Sequence, residues 1–434
     1  MFDYDVVGPA FEAEYQKLLS GRAIHCVHTQ KDLPALAAPR AVIIDIMSYP
    51  LKQIASKLSS TVKVFCIGPS SVLGVYALSG ASALQASGQT FIEEKIQEYM
   101  QKNGVSLREA ANAVVKIPSD EIITIPGFPK VYFYEANPQA RTFEAPLGFI
   151  RYLAMQFLKE CDAFISGSME CVEPEGVVEG LSDFFARTSR KLYLLGPLLP
   201  MTKRSDAVEA RQAAKSPEIA SFLKTTLETR GERSMIYMSF GTIFWTIKPE
   251  IVWTFLDVMI EKKIPFIMSH ASPEAKVPDE LQTKVKASGT GLLVPWAPQQ
   301  AILEHPATGC FVTHAGFNSV VESIYAGVPM ICWPFAAEQP LNAIQLTENL
   351  GVAYELLEVR TGDGLRPIYR TGKAPAGTLD AVRAEAAAVL DKAFGADGEA
   401  KRAKVRELRE TSLRLWAPGG AAARAGEDLL DSLQ

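Results

Sequence analysis

The sequence predicts an α/β protein built from two consecutive parallel-sheet units. Short apolar runs of strand length alternate with helix-like stretches along most of the 434 residues. Between Cys310 and Trp333, strand, helix and strand follow so closely that the crossover is parallel and right-handed. A polar, charged stretch, Met201–Pro217, interrupts the alternation near the middle of the chain. The length suffices for two cores of ordinary size.

The elements follow in order. Apolar strands are expected at Ala41–Asp45, Val62–Cys66, Phe164–Ser166 and Leu192–Leu195, with helical segments between them. This gives a first domain over 1–197, a linker over 198–218, a second domain over 219–415 and a terminal helix within 416–434. Thr378–Phe394 reads as an amphipathic helix, with Thr378 as N-cap and Gly395 as stop. Charged, helix-favouring Glu399–Leu415 follows it. No internal repeat is evident.

Composition removes several classes of function. A net charge of −5 gives no purchase on nucleic acid or another polyanion. No apolar run approaches the ~18 residues of a membrane span, and the first residues lack a basic-then-apolar leader, so a cytoplasmic setting is expected. Of the six cysteines, Cys66, Cys310 and Cys332 fall in strand-like runs, and none has metal-ligand spacing. They read as buried thiols, with no metal site.

The chemistry concentrates between Trp296 and Gln339. Pro295 ends the run Leu292–Val294, so Trp296 enters a loop and offers a flat indole to a planar ring, whose edge Gln299 can meet. Cys310–Thr313 is a buried strand followed at once by His314 and the small Ala315 and Gly316. Asn318 and Ser319 then open a helix that Gly327 and Pro329 stop. The Gly316 turn lets backbone approach closely, and the helix start offers unpaired N–H groups to an anion. Asn318 and Ser319 can donate to that anion, and His314 reaches the same place. Glu322 shares their helix face and can accept from a sugar diol. Met330–Trp333 is the next strand, after which Glu338 and Gln339 supply acceptor and donor groups for hydroxyls. Singly, each residue reads as packing, capping or solvated surface. Their common position on one rim, beyond the carboxyl ends of parallel strands, is what makes a site.

This segment resembles the signature box of the UDP-dependent glycosyltransferases of the plant and fungal small-molecule type, which share the GT-B fold of two Rossmann-like domains. Trp296, Gln299, His314, Gly316, Asn318, Ser319, Glu322, Pro329, Glu338 and Gln339 match it in spacing, and the resemblance implies that Ala297 belongs to the same donor site. Phe317 stands where plant members carry Trp, at a position used through its backbone. Ser234–Thr242 is similar to the first strand and phosphate-side loop of the family's nucleotide domain, which implies that Gly241 and Thr242 face the donor. Tyr193–Pro200, Pro126–Pro129 and Ala41–Asp45 match further landmarks. The resemblance implies a UDP-sugar as co-substrate and no separate cofactor. It implies UDP-glucose first, from Gln339, and a small lipophilic hydroxyl acceptor glycosylated with inversion.

One part of the pattern is expected to be missing. Family members begin with a strand and a Gly-His loop whose histidine is the general base. This chain opens on what reads as a downstream helix, so the first domain is expected to be incomplete and to lack that base. His25 and His28 read as loop or helix-end residues. Asp45 matches the carboxylate that orients the catalytic imidazole, or else it caps the next helix. Ser70 and Ser71 are candidates to meet donor phosphates from the facing domain. An unpaired apolar edge at Ala41–Asp45 predicts poor expression unless the chain is extended upstream. The alternative reading is a UDP-sugar-binding protein without catalysis. A dinucleotide oxidoreductase is disfavoured, because no Gly-x-Gly-x-x-Gly follows a strand.

Overall fold

The computed structural model describes residues 4–26, 28–79, 86–114, 122–140, 147–198 and 216–434. Most of the expected linker, residues 199–215, lies outside them.

Two parallel sheets carry the described chain. The first contains Ala41–Asp45 (β1), Lys63–Gly68 (β2), Ala163–Ser166 (β3) and Lys191–Leu194 (β4), in the spatial order β1-β2-β3-β4. The second contains Met235–Ser239 (β5), Phe266–Ser269 (β6), Gly291–Val294 (β7), Thr308–Thr313 (β8), Met330–Cys332 (β9) and Ala353–Glu355 (β10), in the order β7-β6-β5-β8-β9-β10. Every residue of β3, β5, β6 and β8 is buried. Strands covered by helices on both faces must be apolar throughout, which is why these segments show no alternation. β1 is the edge of its sheet among the described strands, and Ile43 on it is 54% exposed.

The order of the second sheet locates a site. From β5 the chain moves outward through β6 and β7, then returns to the other side of β5 as β8. Strand order reverses between β5 and β8, and the loops leaving their carboxyl ends diverge to leave a crevice. Beyond β8 lies the helix Phe317–Ala326, capped by Gly316 and ended by Gly327 in the left-handed conformation (φ 72°). Asn318 and Ser319 therefore sit inside its first turn and do not cap it. The helix Leu379–Ala393 does take its cap from the expected residue, Thr378 Oγ1 accepting from Ala381 N at 3.2 Å.

The two sheets are joined by buried polar contacts. Gln139 Nε2 donates to the Val359 carbonyl at 2.9 Å, Gln345 Nε2 to the Val172 carbonyl at 3.1 Å, and Ser71 Oγ to Asn342 Oδ1 at 2.8 Å. The helix Ala421–Asp431 packs Leu429 against Phe65, Ile165 and Tyr193 of the first sheet, and Asp428 meets Lys191 at 2.8 Å. Among the described residues no helix is long and apolar enough to cross a membrane.

Candidate functional site

A cleft of about 480 Å³ opens beyond the carboxyl ends of β5 and β8. Gly241 and Thr242 enter it from the loop after β5, His314 from the end of β8, and Asn318, Ser319 and Glu322 from the following helix. Trp296, Ala297 and Gln299 close it from the loop after β7. These sequence-predicted residues, spread over some eighty positions of chain, meet in one space.

At one end the walls suit an anion. The His314 ring is wedged between two glycines: a Cβ on Gly316 would lie 2.4 Å from His314 Nε2, and one on Gly241, whose φ is 75°, would lie 3.1 Å from the same atom. Both positions exclude a side chain on these grounds. Ala315 holds a left-handed φ of 61°, uncommon for a residue with a Cβ, which turns the chain from strand to helix in a minimum of residues. Burial pulls the His314 pKa down to about 4, with hydrogen bonding to the Ser239 backbone opposing it. The imidazole is therefore neutral at pH 7, and its buried Nδ1 has no protein partner. Asn318 is exposed to the cleft, and the helix start supplies N–H groups that no helical carbonyl reaches.

The other end suits a ring and a diol. The Trp296 indole is 57% exposed, so it is not core packing, and its face is open to a planar ligand. Glu322 is held by two amides: Gln299 Nε2 donates to Oε2 at 2.5 Å, and Gln300 Nε2 to Oε1 at 2.8 Å. Gln299 also reaches Ser319 Oγ at 3.2 Å. In this structure Gln299 orients the carboxylate, since Glu322 lies within hydrogen-bonding distance of it. Fixed in this way, such a carboxylate can accept from vicinal hydroxyls.

Five predicted residues do not line the cleft: Asp45, Gly316, Phe317, Glu338 and Gln339. Phe317, 6% exposed, turns its ring toward Gly167 of the first sheet. Ala337, at φ 60°, folds the chain back so that Glu338 Oε1 accepts from Phe317 N at 3.2 Å, and burial raises its carboxyl pKa. Gln339 Oε1 accepts from the N–H groups of Phe335 and Ala336 at 3.0 and 3.3 Å. Both side chains brace the loop beside the anion end. Asp45 Oδ1 accepts from Met47 N at 2.9 Å and closes its own turn, while Ser48 stands at the N-cap of the next helix. His25 is spent on Asp32 in an exposed hairpin, at 2.8 Å, and His28 lies in an exposed turn. Ser71 is turned to Asn342 rather than into the cleft.

The structure adds residues to the site. Tyr237, Ser239 and Ser269 form a polar floor to the cleft. Ser239 and Ser269 are register partners at the ends of β5 and β6. A serine terminating each apolar run was a readable signal, whereas only strand pairing shows that the two are neighbours. Gln300 joins through Glu322.

Residues 155–365 match the family model described as UDP-glucoronosyl and UDP-glucosyl transferase. UDP-glycosyltransferase eriJ of Hericium erinaceus is 30% identical over 421 residues, which span 93% of this chain and 82% of that protein. Crocetin glucosyltransferase 3 of Crocus sativus is 31% identical over 244 residues, 52% of this chain and 50% of its own length. Among solved structures, Medicago truncatula UGT71G1 complexed with UDP-glucose aligns with a TM-score of 0.69 at 19% identity, over 99% of this chain and 79% of that one. A ugt transferase from Siraitia grosvenorii in complex with UDP gives 0.66 at 20% identity, over 98% and 87%. At that identity the two structures speak for the fold, which is GT-B: two Rossmann-like parallel sheets facing one another.

Proposed function

From the premise that the chain belongs to the UDP-glycosyltransferase family, as its likeness to the fungal relative over nearly its whole length shows, we propose that it transfers glucose from UDP-glucose to a hydroxyl of a small lipophilic acceptor, with inversion at the sugar carbon. The observation that carries the donor assignment is a single cleft with an exposed indole at one end, an unpartnered buried imidazole nitrogen at the other, and an oriented carboxylate near the indole. A uracil on Trp296, a ribose diol on Glu322 and a diphosphate beside His314, Asn318 and the helix start would use each of them.

In this reading the acceptor oxygen forms a bond to the sugar's C1 as the bond from C1 to the diphosphate oxygen breaks. The negative charge gathering on the leaving UDP is met by donors already in place, Asn318, Ser319 and the backbone amides of the helix start, so little reorganisation accompanies the transition state. The acceptor's proton requires a base. On the strength of the resemblance alone, Asp45 is the carboxylate that would orient such a base; here its Oδ1 accepts from Met47 N. Glucose is favoured because plant relatives such as that of Crocus sativus are named glucosyltransferases.

The test is calorimetric titration of UDP, followed by product analysis with UDP-glucose and a panel of phenolic and sterol alcohols. Micromolar UDP binding with β-linked glucoside formation is expected. Absence of UDP binding by folded protein overturns the donor site. Binding without transfer or donor hydrolysis overturns the enzymatic part alone.

A further inference from the structure

Ser71 and Asn342 lie 271 positions apart in the chain, one at the start of the helix Val72–Ser79 of the first sheet's half, the other in the helix Gln339–Ile344 of the second. Asn342 is 5% exposed and both ends of its amide are used. Nδ2 donates to the Ala315 carbonyl at 3.0 Å, and Oδ1 accepts from Ser71 Oγ at 2.8 Å. Ser71 Oγ in turn accepts from Gly74 N at 3.1 Å. Ala315 is the left-handed residue between His314 and Gly316, so the carbonyl that Asn342 grips belongs to the strained turn at the anion end of the cleft.

The surrounding contact is tight. A Cβ on Gly74 would come within 2.7 Å of Glu338 Cβ, and Glu338 itself accepts from the first N–H of the cleft helix. A turn that costs on the order of 1 kcal/mol to hold persists only where its neighbours over-determine it. Here one of those neighbours is an amide whose own orientation is set from the opposite half of the molecule. A lone Asn can flip its amide and present Nδ2 elsewhere. The Ala315 carbonyl only accepts, so it requires Nδ2, and the Ser71 hydroxyl, donating to Oδ1, holds the other end of the amide in place.

We propose that Asn342 is a positioning residue for the diphosphate-binding turn, and that Ser71 sets it from the first half, so that donor affinity depends on how the two halves dock. The inference rests on the donor reading above. Neither residue touches the donor. Each acts through Ala315 on the placement of His314.

The experiment titrates UDP into the full chain by calorimetry, comparing wild type with Asn342→Ala, Ser71→Ala, the double variant and Gln345→Ala. Gln345 makes a buried bond between the same halves, to the Val172 carbonyl, without touching the turn. Loss of a buried hydrogen-bond partner of this kind weakens binding by roughly tenfold. Asn342→Ala is expected to raise the UDP Kd about tenfold and Ser71→Ala about threefold, with the double variant no weaker than Asn342→Ala because both act along one chain of bonds. Gln345→Ala should stay within about twofold of wild type. Proton uptake on UDP binding at pH 5.5, a signature of His314 that general loosening would not alter, should fall in Asn342→Ala. Wild-type affinity in Asn342→Ala or Ser71→Ala overturns the proposal, as does an equal loss in Gln345→Ala. If Asn342→Ala does not fold, Ser71→Ala alone decides. Failure of wild type to bind UDP overturns the donor reading and this inference with it, and is distinct from binding that the variants leave unchanged.

Discussion

Burial holds the His314 imidazole neutral down to about pH 4 while leaving Nδ1 without a partner. A diphosphate beside the ring favours the charged form, so the bound pKa lies above the free one. Between the two values the complex holds more protons than the free protein, and UDP affinity rises as pH falls from 7 toward 5. Calorimetry at pH 5.5 in buffers of different ionisation heat should register this uptake. UDP titrates in the same range, so the quantity to compare is wild type minus His314→Gln; equal uptake in the two would remove His314 from the anion site. At the opposite end, Glu322 accepts two amide donors and is poised for a diol. A hydrogen bond to a charged acceptor contributes about 1.5–3 kcal/mol, so Glu322→Gln should weaken UDP by roughly 10- to 100-fold. It should weaken 2′-deoxy-UDP much less. If both nucleotides lose affinity alike, the carboxylate is not reading the ribose. Trp296→Ala should weaken both together, since stacking is blind to the sugar.

At the scale of elements, what could be read from the sequence depended on where a side chain sits in its element. Residues leaving parallel strands were legible, because an apolar run that stops at Thr313 or Val294 puts His314 or Trp296 on the rim. Tyr237 was not, since a strand buried on both faces gives no sign of which face meets a cleft. Glu338 and Gln339 were assigned to the rim, and it is the left-handed Ala337 that turns them inward to hold backbone. Glu173 gave no signal at all. Its buried carboxylate accepts from Val72 N and Leu73 N at 2.7 and 2.8 Å and from the Ser168 hydroxyl. It therefore caps the helix that carries Ser71 from a loop a hundred residues away. That carboxylate already fills the helix's anion-binding end, which explains why Ser71 faces Asn342 and not a phosphate. Glu173→Ala leaves two buried amides and a hydroxyl unpaired and should cost about 2–4 kcal/mol. Denaturant unfolding measures it directly, and a loss below about 1 kcal/mol would mean that water replaces the cap.

The whole molecule is held together by a second, charged contact between its halves. Glu355, at the end of β10, accepts from Arg360 Nη2 at 2.7 Å and from Arg370 Nη2 at 2.6 Å. Burial pushes the Glu355 carboxyl pKa up, but the two guanidinium groups outweigh it and hold the value below the usual range. Glu135, from the first half, accepts from Tyr132 N and from Tyr369 N across the boundary at 2.9 and 3.0 Å. Its Oε2 lies 3.9 Å from Arg360 Nη1, and Arg360 is 1% exposed. Around this cluster Thr361 N donates to the Pro138 carbonyl at 3.0 Å, and the Arg366 guanidinium lies 4.0 Å over the Tyr134 ring. None of this was legible, because a charge in a loop reads as solvated surface until the partner from the other sheet is known. Removing one member of a buried ion cluster strands the rest and costs about 3–5 kcal/mol, more than the cluster contributes over an apolar replacement. Arg360→Met should therefore destabilise strongly by leaving Glu135 and Glu355 under-compensated. Because the cluster bridges the halves, the loss should also divide one calorimetric unfolding transition into two. Arg360→Met with Glu135→Gln removes the stranded charge at the boundary, and should recover part of the stability while leaving the halves uncoupled. A single transition with unchanged Tm in Arg360→Met would show that the amide contacts alone bind the two sheets into one cooperative unit.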